Sequence, residues 1–471
     1  MSQLLKPGAK VHCLGIGGYG INPIARVMHQ LGYSISGCDI AESALIPPLR
    51  ELGIPIEIGH DPAHLDRFGP DVLVISSAIP PDNREVWVAA ERDIPVYKRA
   101  DILCALMSDR IGVAVAGTHG KTTTTAMLAS ALVGCQADPT FIVGGVVTDL
   151  GVNARAGEGP HFVIEADEYD RMFMGLCPKV AVVTTIELDH PDMFKSVAEV
   201  RALFEEFIEL LPEDGLLVAG ADDAEVRQIA EHWRVMRERP TVTYGLLAAD
   251  WTASDLRANS RGGVDFAALK QGELVAEVSL RLPGTHNVQN ALAALAVIDH
   301  LKLPVDKAVE SLKTFSGVGR RFEVKGEAQG VTVIDDYAHH PTAIRATLAA
   351  ARMRYPDQSI WAIWQPHTYS RTKALLDEFA ASFVGADHVI VTDVFKSRDT
   401  DTFGIGPQDV LARMRYHRDA QHMGSFEEIV DMLVLNLTPG DVVIVMSAGD
   451  ASRICDDLLK ALGGETRDRE Q

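Results

Sequence analysis

At 471 residues, 47% hydrophobic and 23% charged, the chain is long enough for about three cores and has an ordinary globular make-up. A formal net charge of −21 argues against a nucleic-acid partner, so any nucleotide must be held by local backbone N–H groups and a few placed cations. No run of about 18 apolar residues occurs and MSQLLKPGAK carries no apolar signal core, so membrane insertion is not expected.

The six cysteines, Cys13, Cys38, Cys104, Cys135, Cys177 and Cys455, include no CxxC pair. That spacing points to neither a zinc site nor a disulfide framework, and so to a reduced, cytoplasmic protein. There are no repeats, and the only biased stretch is the polar tail GGETRDREQ.

In chain order, VHCLG reads as a buried strand, and Ile21, Ile24, Ala25, Met28 and Leu31 recur on one face of a helix. YSISGCD and DVLVISSAI are further strands, a βαβ series with a mostly parallel sheet. A second series opens with the strand GVAVAG and the helix KTTTTAMLASALVG, followed by the strands HFVIEADE and KVAVVTTIELDH and the amphipathic helix EVRALFEEFIELL. From Thr241 to Pro283 short alternating strands read as antiparallel hairpins, and HNVQNALAALAVIDHL is again helical. A third series holds the strands GVTVIDDYA, IWAIWQPH, HVIVTDV and DVVIVMSAG. The expectation is an α/β protein of three domains, residues 1–107, 108–318 and 319–471.

Two glycine-rich loops stand far apart. Gly15, Gly17, Gly18 and Gly20 satisfy GxGxxG between strand and helix, with Asp39 at the end of the next strand. Alone this fits an NAD-binding unit; more loosely, the glycines need only a diphosphate, and a bare strand-to-helix turn would also satisfy them. The second loop runs Gly117, Thr118, His119, Gly120, Lys121, Thr122, Thr123. Its N–H groups at a helix start suit phosphate, Lys121 supplies a charge, and the Thr122 hydroxyl suits Mg²⁺. Val115 stands where the longer GxxxxGK[ST] pattern wants glycine, so the match is to a shorter variant.

Glu165, Asp167, Glu168 and Asp170 end a strand in the same domain, where carboxylates suit Mg²⁺. In isolation they would pass for a solvated acidic turn. Asp189 and His190 follow another strand, and a histidine there can ligate a metal, orient a carboxylate or be structural. His339 and His340 in DDYAHHP point to opposite faces of an extended segment, so they are not expected to share one metal, and one of them suits a cap or core role. Arg320, Arg321 and Arg371 carry forks that suit carboxylates and phosphates, though most such arginines are ordinary surface residues.

In order, GIGGYG, GTHGKTTTT, EADEYD, ELDHPD, GTHNVQNALAA, GVGRRFE, DDYAHHPT and QPHTYSRT resemble the Mur ligase family over nearly the whole chain. The resemblance implies a Rossmann-like UDP-binding N-terminal domain, a central P-loop ATPase-like domain with a mixed sheet, and a Rossmann-like C-terminal domain. It answers why one chain needs two phosphate loops: one holds the UDP diphosphate of an acceptor and the other holds ATP. Implied for the UDP-sugar are Gly15, Gly17, Gly18, Gly20, Asp39, Ser76 and Ser77. Implied for ATP are Gly117 to Thr123, His286, Asn287, Asn290, Arg321 and Asp336. Thr122 and Glu168 are the implied Mg²⁺ ligands, with His190 at a second Mg²⁺, and Tyr337, His339 and Arg371 would lie near the incoming amino acid. Lys121, Glu168, His190 and His339 are the implied catalytic residues, with His190 or His339 as general base.

Within the family, GIGGYG, GVNARAG and QPHTYSRT favour the member that joins L-alanine to UDP-N-acetylmuramate with ATP and Mg²⁺, in cell-wall peptidoglycan synthesis. The nearest competitor attaches the tripeptide L-Ala-γ-D-Glu-meso-diaminopimelate to the same acceptor. A dehydrogenase or a non-ligase NTPase leaves part of the motif set unexplained. A monomer or homodimer is expected. Thr185 stands where the family often has asparagine, which puts that amide's contact in question though not an oxygen contact. Thr368 stands where some members carry arginine, leaving Arg371 as the arginine of that motif.

Overall fold

The computed structural model describes residues 5–414, 417 and 419–464. Met1 to Leu4 of the opening stretch and the polar tail from residue 465 lie outside the described residues.

The first sheet contains β1 (Lys10–Leu14), β2 (Ser34–Asp39), β3 (Ile56–Ile58), β4 (Val72–Ile75) and β5 (Val96–Lys98), all parallel, in the order β3-β2-β1-β4-β5. The helix Asn22–Gln30, started by Pro23, buries Ile24, Ala25 and Met28 of the face that the spacing predicts, and Val27 beside them. Strand order reverses between β1 and β4. The crevice beyond their carboxyl ends, where open parallel sheets take ligands, therefore lies between the Gly15 loop and Ser76.

The second sheet has ten strands. They are β6 (Ile111–Ala116), β7 (Thr140–Val147), β8 (Val152–Arg155), β9 (His161–Glu165), β10 (Val180–Val183), β11 (Leu216–Gly220), β12 (Thr241–Tyr244), β13 (Trp251–Ala258), β14 (Val264–Lys270) and β15 (Glu273–Ser279). The order is β15-β14-β13-β12-β11-β10-β6-β9-β7-β8. β6 to β12 form a largely parallel core, and β13 to β15 are the expected antiparallel hairpins. The helices Lys121–Gly134 and Thr285–His300 are buried nearly all round, as their almost unbroken Ala, Leu and Thr runs require. β7 and β8 escape the sequence reading, because Gly144 and Gly145 interrupt β7 and its pairing with β8 shifts register. Gly144 has a reason: a Cβ there would lie 2.4 Å from Glu165 Oε2.

The third sheet contains β16 (Glu323–Ala328), β17 (Val331–Asp336), β18 (Ile360–Trp364), β19 (His388–Val391), β20 (Ala420–His422) and β21 (Val442–Met446), in the order β16-β17-β21-β18-β19-β20. All its pairs are parallel except β16 with β17. Among the described residues no helix is long and apolar enough to cross a membrane.

One expectation is corrected. Cys104 and Cys177, 73 residues apart in the chain, form a disulfide. The helix Arg99–Met107 packs on the turn Tyr169–Gly175, and Gly175 allows the approach, since a Cβ there would meet Ala100 Cβ at 2.2 Å. That contact brings the two Cα atoms to 5.0 Å, within bridging range. The pairing is tertiary, so sequence spacing carries no sign of it.

Candidate active site

The Lys121–Gly134 helix begins at Gly120, which holds a left-handed φ of 80°. Gly117, at φ 135°, passes so near the next strand that a Cβ would sit 1.9 Å from Thr184 Oγ1. The loop is pinned from behind. Thr118 N donates to Thr185 O at 2.8 Å, His119 N donates to Thr185 Oγ1 at 3.0 Å, and Glu187 N donates to Thr118 Oγ1 at 2.9 Å. Thr185 therefore offers an oxygen in place of the asparagine amide, as expected for threonine. Thr123 is buried behind the loop.

Lys121 Nζ donates to Gly117 O at 2.7 Å and to both Glu168 oxygens at 2.8 and 3.1 Å. Burial pushes the Glu168 carboxyl up to about 7 against the pull of Lys121. Burial also pulls on the Lys121 ammonium, but Glu168, Asp167 and Glu165 outweigh it and leave the ammonium above its ordinary value. Thr122 Oγ1 donates to Glu165 Oε1 at 3.0 Å, and Glu165 Oε2 accepts from Gly144 N at 2.7 Å. Arg321 reaches over from the third-sheet region to Thr122 Oγ1 at 3.2 Å. Its guanidinium lies 4.8 Å from the Tyr337 ring. Asp336 fixes that segment by accepting from Phe322 N and Ala338 N, each at 2.7 Å.

Under the loop, Thr124 Oγ1 donates to Asn290 Oδ1 at 3.0 Å, Asn290 donates to Asn287 at 3.2 Å, and Asn287 donates to Pro283 O at 2.7 Å. His286 is held down at about 4 by burial. So GTHNVQN braces the phosphate loop through Asn290, a link absent from the sequence reading.

Asp189 and His190 meet the third-sheet region. Arg371, 1% exposed, donates from Nε to Asp189 Oδ1 at 2.7 Å and lies 3.0 Å from His367 Nδ1. Burial favours a neutral Asp189, but Arg371, His190 and the neighbouring histidines overcome it and hold the carboxyl well below its usual range. His190 Nδ1 is faced by Arg371 at 3.5 Å and Arg398 at 3.3 Å. His339 Nδ1 lies 2.8 Å from Tyr337 O, and its Nε2 lies 4.0 Å from Asp189 Oδ2. His340 caps the Pro341–Arg354 helix by accepting from Thr342 N at 3.3 Å, the structural role that one of the paired histidines was expected to take. Thr368 caps the next short helix, its Oγ1 accepting from Arg371 N at 3.3 Å.

At the first sheet, Asp39 Oδ2 accepts from Gly17 N at 2.8 Å, and Gly18 N donates to Gly15 O at 3.1 Å. Ser76 N donates to Leu14 O at 3.1 Å, which sets Ser76 so close to Gly15 that a Cβ there would clash at 2.9 Å; Ser77, next along, is exposed. A Cβ on Gly20 would lie 2.4 Å from the Arg99 guanidinium. Burial lowers Arg99, opposed by Asp167 and Asp170, so this arginine stands between the first glycine loop and the central acidic cluster. Arg99, Arg398 and the His119–Glu187 pair at 3.0 Å are additions that sequence reasoning missed. No motif surrounds Arg99 or Arg398, and only the packing of three segments gives them a place.

The buried histidines set a pH dependence. His286, His340 and His367 fall to about 4, chiefly through burial, and His190 and His339 are also lowered. The folded values lie below the ordinary 6.5, so the unfolded chain binds those protons first. Stability is full above pH 6.5 and is lost as pH falls toward 4. Burial raises Glu168 to about 7 and Asp335 to about 6, and also raises Asp223 and Asp336, which acts in the opposite sense, but these four acids are outnumbered by the lowered histidines, which include His12, His161 and His300 as well. The melting temperature of the metal-free protein is expected to fall steadily from pH 6.5 to 4. A scanning-fluorimetry profile flat over that range would contradict this balance.

Three family models match the chain in order: the Mur ligase family catalytic domain over residues 10–111, the Mur ligase middle domain over 115–298 and the Mur ligase glutamate ligase domain over 320–449. The chain is 42% identical over 459 residues to the UDP-N-acetylmuramate–L-alanine ligase of Geotalea uraniireducens, covering 97% of this chain and 98% of that protein. It is 40% identical over 454 residues to the ligase of the same name from Caldanaerobacter subterraneus, covering 96% and 97%. Among solved structures it is similar to the UDP-N-acetylmuramate-alanine ligase of Thermotoga maritima, with a TM-score of 0.79, 30% identity and coverage of 97% and 99%. It is also similar to a murein peptide ligase from Psychrobacter arcticus, with a TM-score of 0.68, 26% identity and coverage of 98% and 100%. With two glycine loops, a buried Lys–Glu pair and full-length likeness of this kind, the chain belongs to the Mur ligase family.

Proposed function

We propose that this chain is an ATP-dependent ligase that joins L-alanine to the carboxylate of UDP-N-acetylmuramate in peptidoglycan precursor synthesis. The observation that carries it is the presence of two diphosphate-type glycine loops in one chain, separated by the Arg99 guanidinium and the acidic cluster. Alanine-adding relatives near 40% identity over the full length support this substrate over the tripeptide. In this reading residues 1–107 take the UDP-sugar, 108–318 take ATP, and 319–471 bring the amino acid and close the site. The reaction belongs to the cytoplasm, where ATP is supplied.

A carboxylate does not acylate an amine at neutral pH, because its leaving group is oxide. Transfer of the γ-phosphoryl of ATP to that carboxylate releases ADP and gives an acyl phosphate, whose leaving group is phosphate. Lys121, at the loop, offsets charge developing on the transferred group, and Arg321 adds a second cation beside Thr122. Thr122 and Glu168 would hold Mg²⁺, with His190 near a second Mg²⁺. The fit rests on Glu168, whose buried carboxyl stays raised because Lys121 alone does not compensate its burial. When bound, Mg²⁺ supplies positive charge to the phosphate oxygens.

The amine of L-alanine must be neutral to attack the acyl carbon; the tetrahedral adduct then expels phosphate and leaves the amide. His339 is the better base of the two candidates. Its Nδ1 faces a carbonyl, which only accepts, so Nδ1 carries the hydrogen and Nε2 keeps its lone pair. The corresponding lone pair of His190 already faces two guanidinium groups. His339→Gln is expected to lower kcat about 10²- to 10⁴-fold, with little change in KM for ATP and loss of the acid limb of the pH–rate profile. An unchanged profile would remove His339 from this role.

The deciding assay is phosphate release from ATP and Mg²⁺ with UDP-N-acetylmuramate present. Release that needs L-alanine is the expected result. Release that needs L-Ala-γ-D-Glu-meso-diaminopimelate instead would make the chain a tripeptide ligase.

A further inference from the structure

The ligation chemistry leaves unused a largely buried polar nest in the first sheet. On the face opposite the Asn22–Gln30 helix, β1 contributes His12 and β2 contributes Cys38; the helix Ala63–Phe68 adds His64 and the helix Arg84–Glu91 adds Glu85. His12, Cys38 and Glu85 are each 0% exposed. Glu85 Oε1 lies 2.6 Å from His64 Nδ1, and Glu85 Oε2 lies 3.3 Å from Cys38 Sγ. His60 Nδ1 is 3.2 Å from both Glu85 Oε2 and Cys38 Sγ.

One atom is left over. His12 Nδ1 bonds Ser36 Oγ at 2.8 Å, but His12 Nε2 is buried with no hydrogen-bond partner and points toward Glu85 Oε1, 4.0 Å away. An unpartnered ring nitrogen beside a buried carboxylate is a costly arrangement unless a cation joins them. One donor atom from each of His12, Cys38, His64 and Glu85 lies within 4.8 Å of all the others. Donors about 2.0–2.3 Å from a tetrahedral zinc stand roughly 3.3–3.7 Å apart, so closing the nest needs a shift of about 1 Å, mostly at His12. Imidazole, thiolate and carboxylate are the donor types that zinc takes, and Ser36 already orients the His12 ring as an outer partner would. The side chain of His60, 21% exposed, lies between the nest and solvent and provides an access route.

We propose that His12, Cys38, His64 and Glu85 bind one divalent transition-metal ion of the zinc class. The site is structural. It ties two helices to the sheet behind the glycine loop, and Cys38 directly precedes Asp39, the acceptor for Gly17 N. Binding displaces the Cys38 thiol proton to solvent, so affinity rises with pH. The ligands are 26, 26 and 21 residues apart, which is why no metal motif is visible in the sequence.

The test uses the full-length chain, stripped with a chelator and titrated with Co²⁺ and then Zn²⁺. The expected result is one tight Co²⁺ per chain with tetrahedral d–d bands and a thiolate-to-cobalt charge-transfer band, both erased by Zn²⁺, and a higher melting temperature with Zn²⁺. Cys38→Ser should abolish the charge-transfer band. His64→Gln, at the more accessible ligand, should weaken Co²⁺ binding about tenfold or more while keeping the band. The other group of described residues able to hold a metal, His119, Glu187 and His340, contains no thiol, so the band separates the two. No charge-transfer band in the wild type, a band that survives Cys38→Ser, or a Co²⁺ affinity unchanged by His64→Gln would overturn the assignment and leave the nest a proton-sharing network.

Discussion

Lys121→Ala is expected to abolish turnover while binding of the UDP-sugar survives. The Nζ group is the side-chain cation of the loop itself, tied to Gly117 O and to Glu168. Its removal takes away charge that stabilises the transferred phosphoryl group, worth about 10³-fold or more in kcat. It also strands Glu168, whose side chain is 3% exposed, without its ion-pair partner, so that carboxyl should rise above its present value of about 7 and stay protonated through neutral pH. Phosphate release measures the first effect, and calorimetric titration with the UDP-sugar shows that the first sheet is untouched. Phosphate release near the wild-type rate would sink the assignment of this loop to ATP.

The second large effect is expected from Arg371→Ala. The guanidinium is almost wholly buried and joins the third-sheet region to Asp189 of the central sheet at 2.7 Å. Truncation leaves Asp189, 8% exposed on its side chain, as an uncompensated buried charge, at a cost of about 3–5 kcal/mol. Thermal unfolding should show the transition of the third-sheet region shifted down, with turnover lost as the two regions separate. The double variant Arg371→Met, Asp189→Leu removes both charges at once. It should recover much of the stability, because an apolar pair escapes the desolvation penalty, but it should not recover activity. Full recovery of both would reduce the pair to a structural tie without a part in the reaction.

The ordered motifs made the chemistry legible before any tertiary information. Gly-Lys-Thr after an apolar strand, carboxylates ending a later strand, and a second glycine loop with Asp39 beyond it each depend on neighbours close in sequence. Local pattern therefore determines them. The buried helices Lys121–Gly134 and Thr285–His300 and the hairpins after Thr241 were readable for the same reason, since one run of apolar periodicity reports one element.

What the tertiary structure alone decided is which distant groups share a charge or a bond. Arg321 reaches Thr122, Arg371 reaches Asp189, and Arg99 stands between Gly20 and the acids at Asp167 and Asp170. The disulfide between Cys104 and Cys177, and the nest around Glu85, belong to the same class. An arginine or cysteine carries no periodicity of its own. Burial and pairing are set by the packing of segments tens to hundreds of residues apart, and that packing has no imprint in the spacing of the chain.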